Sequence, residues 1–211
     1  MYTPPAYREE RLDVLHDLMR QWSFATLVTS GPDGILATHL PFLVDDNGAK
    51  GRLVTHLARA NPQCAALATG SEALVLFQGP HAFVSPSWYD NRETFPTWNY
   101  TAIHAYGRPV LNDDPEQLRS LLERVIQRYD TPLGGPWRFA GMPESAIAPR
   151  LRAIVAVDID IDRIEGKLKL NQDKSPADRA GVIAALERST EPLAAETAGM
   201  MRDLDRLAKD S

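Results

Sequence analysis

Only one cysteine, Cys64, occurs in 211 residues, which excludes an intrachain disulfide framework and any cysteine-based zinc cluster. No apolar run approaches the roughly 20 residues that span a bilayer as a helix. The opening Met1-Tyr2-Thr3-Pro4-Pro5 lacks a basic region followed by an apolar core. The expectation is a protein with no membrane span, working in the cytoplasm. Positive charge is scarce: 23 Lys and Arg against 28 Asp and Glu leave a net charge of -5, which argues against a broad nonspecific face for nucleic acid. No G-x-G-x-x-G or Walker loop is present. Four histidines, His39, His56, His81 and His104, lie on or beside predicted strands. None is paired at a helical i, i+4 spacing, and no carboxylate cluster accompanies them, so no metal site is assigned. No nucleophile sits in a recognisable elbow, and no catalytic residue is assigned.

What the chain does have is a strand-to-helix junction at Thr55-His56-Leu57-Ala58-Arg59-Ala60-Asn61-Pro62. An apolar strand, 52–56, runs into a turn and then an Ala-rich helix, 61–69. Unpaired N–H groups at a helix start favour an anion, and Arg59 adds a planar permanent cation, so the junction reads as a phosphate site.

Around it, residues 8–22 carry Leu12, Leu15, Leu18, Met19 and Trp22 at helical spacing. Strands are predicted at 24–29 and 35–44, joined by the Gly31-Pro32-Asp33-Gly34 turn, with Pro41 interrupting the second. Another strand at 74–78 is expected to stop at Gly79-Pro80, and a polar, aromatic loop runs over 85–96, long enough to suggest a lid. The strand 97–110 places Trp98, Tyr100 and Tyr106 on even positions, where core or dimer packing is the plain reading of the aromatics. Asp113-Asp114-Pro115 starts an amphipathic helix ending near Tyr129, residues 151–164 form a half-exposed acidic strand, and helices cover 176–188 and 192–208. Short strands in meander order with helices at the ends give a mainly β chain with peripheral helices (α+β), read as a single domain over 1–211 whose C-terminal helices occupy about 176–208.

Five stretches carry a resemblance. Ala37-Thr38-His39-Leu40-Pro41, His56 to Gln63, Phe77-Gln78-Gly79-Pro80-His81-Ala82 with Ser85-Pro86-Ser87-Trp88-Tyr89, Pro96-Thr97-Trp98-Asn99-Tyr100 and Lys169-Leu170-Asn171-Gln172 occur in this order. Together they resemble the PaiB family of FMN-binding negative transcriptional regulators. The resemblance implies an FMN-binding split β-barrel related to the pyridoxamine phosphate oxidase group, and a homodimer holding FMN at the subunit interface. It implies Arg59 and Asn61 on the phosphate, with Thr55, His56, Thr38 and His39 adjoining. The backbone of Leu40, Pro41 and Phe42 is expected along the ring, and Trp98, Asn99, Tyr100, Lys169 and Gln172 nearby, from either subunit. The family's last motif is commonly Lys-Leu-Ser-Gln-Asn, whereas this chain has Asn171 and Asp173, so no hydroxyl is available at 171.

Regulation follows from the resemblance alone. Direct DNA binding through the last two helices is disfavoured, because Glu196, Asp203, Asp205 and Asp210 offset Arg202, Arg206 and Lys209. The expectation is indirect regulation, or regulation through a protein partner. A flavin-dependent oxidoreductase or haem-degrading enzyme acting on a small molecule is the alternative, since other split-barrel groups do such chemistry.

Overall fold

The computed structural model describes residues 1–31 and 34–207. The described residues give eight strands, β1 (Arg8–Glu9), β2 (Phe24–Gly31), β3 (Gly34–Pro41), β4 (Leu43–Asp45), β5 (Arg52–Ala58), β6 (Ala73–Val84), β7 (Thr97–Asn112) and β8 (Ile154–Lys169). Among the described residues six α-helices accompany them: α1 (Leu12–Gln21), α2 (Gln63–Leu67), α3 (Pro115–Tyr129), α4 (Glu144–Arg152), α5 (Pro176–Arg188) and α6 (Ala194–Leu207). The sheet order is β3-β2-β6-β7-β8-β5-β4, with β1 added on β8. The chain packs as two compact units, one of residues 19–77 and 105–164, the other of 1–18, 78–104 and 165 onward. They are called here the meander unit and the capped unit.

In the meander unit β2 and β3 form an antiparallel hairpin in which Leu27 faces Thr38 and Gly31 faces Gly34. The two middle residues of the predicted turn, Pro32 and Asp33, lie outside the described residues. The predicted strand over 35–44 is divided into β3 and β4, because after Pro41 the Phe42 N–H turns to the Ser23 carbonyl at 2.8 Å. β5 pairs with β8 from Arg52 opposite Asp160 to Ala58 opposite Ile154. One face of this pair, Val54 and Ala156, is covered by Leu118 and Leu121 of α3 and Ile147 and Leu151 of α4. α3 starts where expected, since Asp114 accepts from the Glu116 and Gln117 N–H groups and Pro115 supplies a ready-made first turn.

Helix α4 was not foreseen. Its stretch follows a Gly- and Pro-rich loop and contains Pro149, which removes an internal hydrogen bond. Tertiary burial of Ile147 and Leu151, one turn apart, compensates, and as a result β8 begins at Ile154 rather than at Leu151. At Gly107 of β7 a side chain is excluded, since a Cβ there would lie 2.1 Å from the Asp160 carbonyl oxygen.

In the capped unit β6 runs straight through Gly79-Pro80 instead of stopping there. The pairing of β6 with β2 covers Leu74–Leu76, so at Pro80 the lost donor costs that ladder nothing, and the Pro80 carbonyl accepts the Thr101 hydroxyl at 3.2 Å. Helices α5 and α6 close a core of Ala82, Val84, Leu168, Leu170, Val182, Leu186, Ala198 and Met201. Residues Arg8 and Glu9, expected in the first helix, form β1 opposite Lys167 and Gly166. Glu9 is buried, and its carboxylate accepts the Arg11 backbone and side-chain N–H groups at 2.9 and 3.0 Å; burial raises its pKa, but these bonds outweigh it and hold the group below its usual range.

The loop over 85–96, expected as a lid, is anchored at its start. A 3-10 turn, Pro86–Trp88, rests on α5, where any Cβ at Gly181 would lie 2.2 Å from the Trp88 carbonyl oxygen. The Asp90 N–H donates to Asp178 at 2.9 Å, and the Asn171 amide donates to the Tyr89 hydroxyl at 2.6 Å. Asn171 has φ 62°, a left-handed conformation that asparagine tolerates better than serine does. The departure from the family's serine thus has a backbone reason and a hydrogen-bonding one.

Candidate functional site

The junction after β5 is built by side-chain amides. Asn61 accepts the Gln63 N–H at 2.9 Å through Oδ1 and donates from Nδ2 to the Thr38 hydroxyl at 3.1 Å. Thr38 in turn donates to Oε1 of Gln63, whose amide nitrogen reaches the Leu27 carbonyl at 3.1 Å and the Thr29 hydroxyl at 3.0 Å. The Leu36 carbonyl oxygen lies 3.3 Å from the same nitrogen. Gln63 is 1% exposed and was not among the predicted site residues. Its signal was available: a polar residue directly after Asn-Pro, at the first turn of an otherwise small and apolar helix, must find partners if it is buried. Thr55, also buried, donates to the Pro41 carbonyl at 2.6 Å, which binds the middle of β5 to the end of β3.

Thr38 and Asn61 are therefore brought together, and Thr55 with Pro41. Arg59 joins a different set. Its Nε donates to the Arg152 carbonyl at 3.2 Å and its Nη2 to the Ile154 carbonyl at 3.1 Å, while Nη1 lies 3.5 Å from Asp113. Its backbone N–H also donates to the Ala153 carbonyl at 2.8 Å, so Arg59 ties the end of β5 to the α4–β8 junction. It lines a cavity of about 710 Å³ with Arg119, Arg152, Asp113, Glu116 and Glu144 over Leu118 and Leu151. α2 is five residues long, with no side-chain cap at Pro62, so the anion-binding helix start expected there is reduced to a single short turn.

His39 stacks on Phe24 with ring centroids 6.4 Å apart, and its Nδ1 is 3.0 Å from the Thr26 hydroxyl. Leu40 is buried. On β5, His56 has a buried Nδ1 with no hydrogen-bond partner among the described residues. Burial pulls this imidazole below its ordinary range and keeps it neutral near pH 7.

The second predicted group lies in the capped unit. Trp98 projects outward, 53% exposed, with the Phe83 ring 5.9 Å and the His81 ring 6.2 Å away. Lys169 donates to the Trp98 carbonyl at 2.6 Å and to the Thr97 hydroxyl, and burial lowers the pKa of its ammonium. Tyr100 faces the Lys167 ammonium at 4.9 Å from its ring centre. Asn99, between them on β7, points the other way: it is fully buried, its amide nitrogen 3.4 Å from the Met201 sulfur and its Oδ1 without a partner among the described residues. Gln172 turns back on its own loop, accepting from the Leu170 N–H at 2.7 Å and donating to the Leu168 carbonyl. The structure thus joins Trp98 with Lys169 and directs Asn99 into the core. The even-position aromatics of β7 are outward, and the core positions are Asn99, Thr101, Ile103 and Ala105.

This mainly antiparallel sheet with peripheral helices is a flavin-type split barrel. The FAD and haem binding protein of Mycobacterium smegmatis superposes with a TM-score of 0.60 at 21% identity, over 82% of this chain and 79% of that one. The flavocytochrome Anf3 of Azotobacter vinelandii also gives 0.60, at 13% identity, over 82% of this chain and 75% of the other. The family described as "Putative FMN-binding domain" matches residues 1–163. The protease synthase and sporulation protein PAI 2 of Bacillus subtilis is 31% identical over 203 residues, spanning 96% of this chain and 97% of that protein. The chain belongs to the PaiB family of FMN-binding proteins, and FMN is its cofactor.

The residues present fit that cofactor. FMN brings a phosphate dianion, a hydroxylated chain and a flat ring with acceptors and donors at its edge. The meander unit offers a guanidinium at Arg59, a hydroxyl at Thr38, an amide at Asn61 and an imidazole at His56 whose buried Nδ1 still lacks a partner. Hydrogen bonds from Arg59 to carbonyl oxygens orient its fork without neutralising its charge, and the carboxylate beside it, Asp113, is exposed. Among the described residues no helix is long and apolar enough to cross a membrane.

Proposed function

We propose that this protein holds FMN through residues of the β3 and β5 ends, acts as a homodimer, and serves as a negative transcriptional regulator that works indirectly or through a protein partner. In this reading Arg59 and Asn61 reach the phosphate from separate contact sets at the junction, Thr38, His39, Thr55 and His56 adjoin it, and the Leu40–Phe42 backbone runs along the ring. The carrying observation is the unpartnered Nδ1 of His56, buried on the strand that the family motif occupies. Bound FMN supplies a ring that takes up and returns electrons. The chain's own residues fix it in place. In the capped unit, the outward Trp98, Phe83 and His81 supply an apolar surface suited to a second copy.

The regulatory half draws on the Bacillus subtilis relative, whose name ties it to protease synthase and sporulation. Indirect action is favoured by the charge of the last helices. Arg202 of α6 is paired with Glu187 of α5, and Arg179 is buried, donating to the Leu170 and Met201 carbonyls, so among the described residues these two cations are already engaged within the protein. Tight, salt-sensitive retardation of promoter DNA by the pure protein would overturn this half.

Arg59→Ala tests the cofactor half. Loss of a charge-assisted contact costs about 1.5–3 kcal/mol, which is roughly 10- to 100-fold in FMN affinity, measured by quenching of flavin fluorescence. Riboflavin, which has no phosphate, is the control. Its affinity should be unchanged; equal losses for both flavins, or none for FMN, would remove Arg59 from the phosphate.

A further inference from the structure

Three arginines and no carboxylate line a cavity of about 360 Å³ beside α3, in a chain whose net charge is -5. The walls are Arg20, from the last turn of α1, and Arg124, Gln127 and Arg128 of α3. Positions 124, 127 and 128 are i, i+3 and i+4, so one helix face presents all three side chains. Phe42, Leu43 and Val44 form the floor. Carboxylates lie close by: Asp46 pairs with Arg20 and Asp45 with Arg124, through a terminal guanidinium nitrogen in the two pairs. Arg20 also reaches the Val44 carbonyl at 3.4 Å, and Arg128 donates to the Arg20 carbonyl at 3.0 Å. A carbonyl does not cancel the Arg128 charge. Cations in the last turns of α1 and α3 complement the helix dipoles, which accounts for Arg20 and Arg128. It does not account for Arg124, or for the convergence of all three over an apolar floor.

We infer that this cavity binds a small organic carboxylate. Arginine side chains only donate, and their planar forks match a carboxylate, so the occupant must present an anionic, acceptor-rich end. The floor of Phe42, Leu43 and Val44 calls for an apolar body behind that end, and a volume of this size exceeds what an inorganic anion fills. Nothing in this assignment rests on where FMN binds.

Benzoate is the probe, titrated into the full-length protein with FMN added, while arginine Nε–H resonances and the flavin absorbance are followed together. The expected result is a saturable shift of the Arg124 and Arg128 resonances with the flavin spectrum unchanged, and weaker binding of inorganic phosphate. Arg128→Gln removes one fork, and Gln127→Glu, at an exposed position that leaves every arginine contact in place, sets a repelling charge at the mouth. Each should weaken benzoate by about 10-fold. No saturable shift, unchanged affinity in both variants, phosphate binding as tight as benzoate, or release of FMN by benzoate would overturn the assignment.

Discussion

Two sheet faces in this chain are finished in opposite ways. In the meander unit the face carrying Val54 and Ala156 is covered from within the chain by α3 and α4, and Leu118 is left 1% exposed. In the capped unit the face of β6 and β7 that carries His81, Phe83 and Trp98 keeps Phe83 46% and Trp98 53% exposed. Both faces are apolar enough to need a cover. The exposed aromatics of the second face are where the second copy proposed above would sit, since clustered aromatic rings gain from being covered.

The sharpest break of that comparison is Leu118→Ala, which opens a cavity under the covered face and should cost about 2–5 kcal/mol in chemical unfolding. A loss under about 1 kcal/mol would mean that α3 contributes little to the face. Asn171→Ser, which restores the family's usual residue, should cost about 1–2 kcal/mol, since it gives up the amide bond to Tyr89 and the tolerance of the left-handed backbone. Unchanged stability would show that the loop is held on α5 by Gly181 and Asp178 alone.

His56 gives a smaller, pH-dependent effect. Its folded pKa lies below its unfolded value because burial disfavours the cation. Its contribution is therefore fully present above about pH 6.5 and is lost as the pH falls toward the folded value. His56→Gln should flatten the decline in stability on acidification below that point, and an identical slope in the variant would remove His56 as its source. Smallest in folding energy is the pair Phe83→Ser and Trp98→Ser on the bare face, within about 0.5 kcal/mol for each exposed residue. Light scattering should nevertheless show a dimer converted to monomer, and a variant that keeps the wild-type mass would release this face from the interface.

Much of the fold was legible in hydrophobic period and turn chemistry. The hairpin, the α3 start at Asp114-Pro115 and the long β7 all follow from local pattern. What escaped was settled by tertiary contact: α4 contains a proline and forms because Ile147 and Leu151 find a core, and β6 passes Pro80 because the β2 ladder lies elsewhere on the strand. The candidate site was legible as a set of segments but less so as side-chain directions. Alternation along β7 places Trp98 and Tyr100 opposite Asn99, which means the three could not face one ligand together. Arg59 was readable as a cation, but its partners, the carbonyls of Arg152 and Ile154, are 93 and 95 residues away in sequence.

Gln63 has a consequence for how the hairpin finds its alignment. The four groups its amide touches, Leu27, Thr29, Leu36 and Thr38, are two cross-strand pairs of the β2–β3 ladder, Leu27 with Thr38 and Thr29 with Leu36. A slip of one strand past the other would separate those pairs and strand a buried amide. A residue some twenty-five positions beyond the strands it inspects thus works as a gauge, accepting only one alignment of the hairpin before the chain after β5 can close over it.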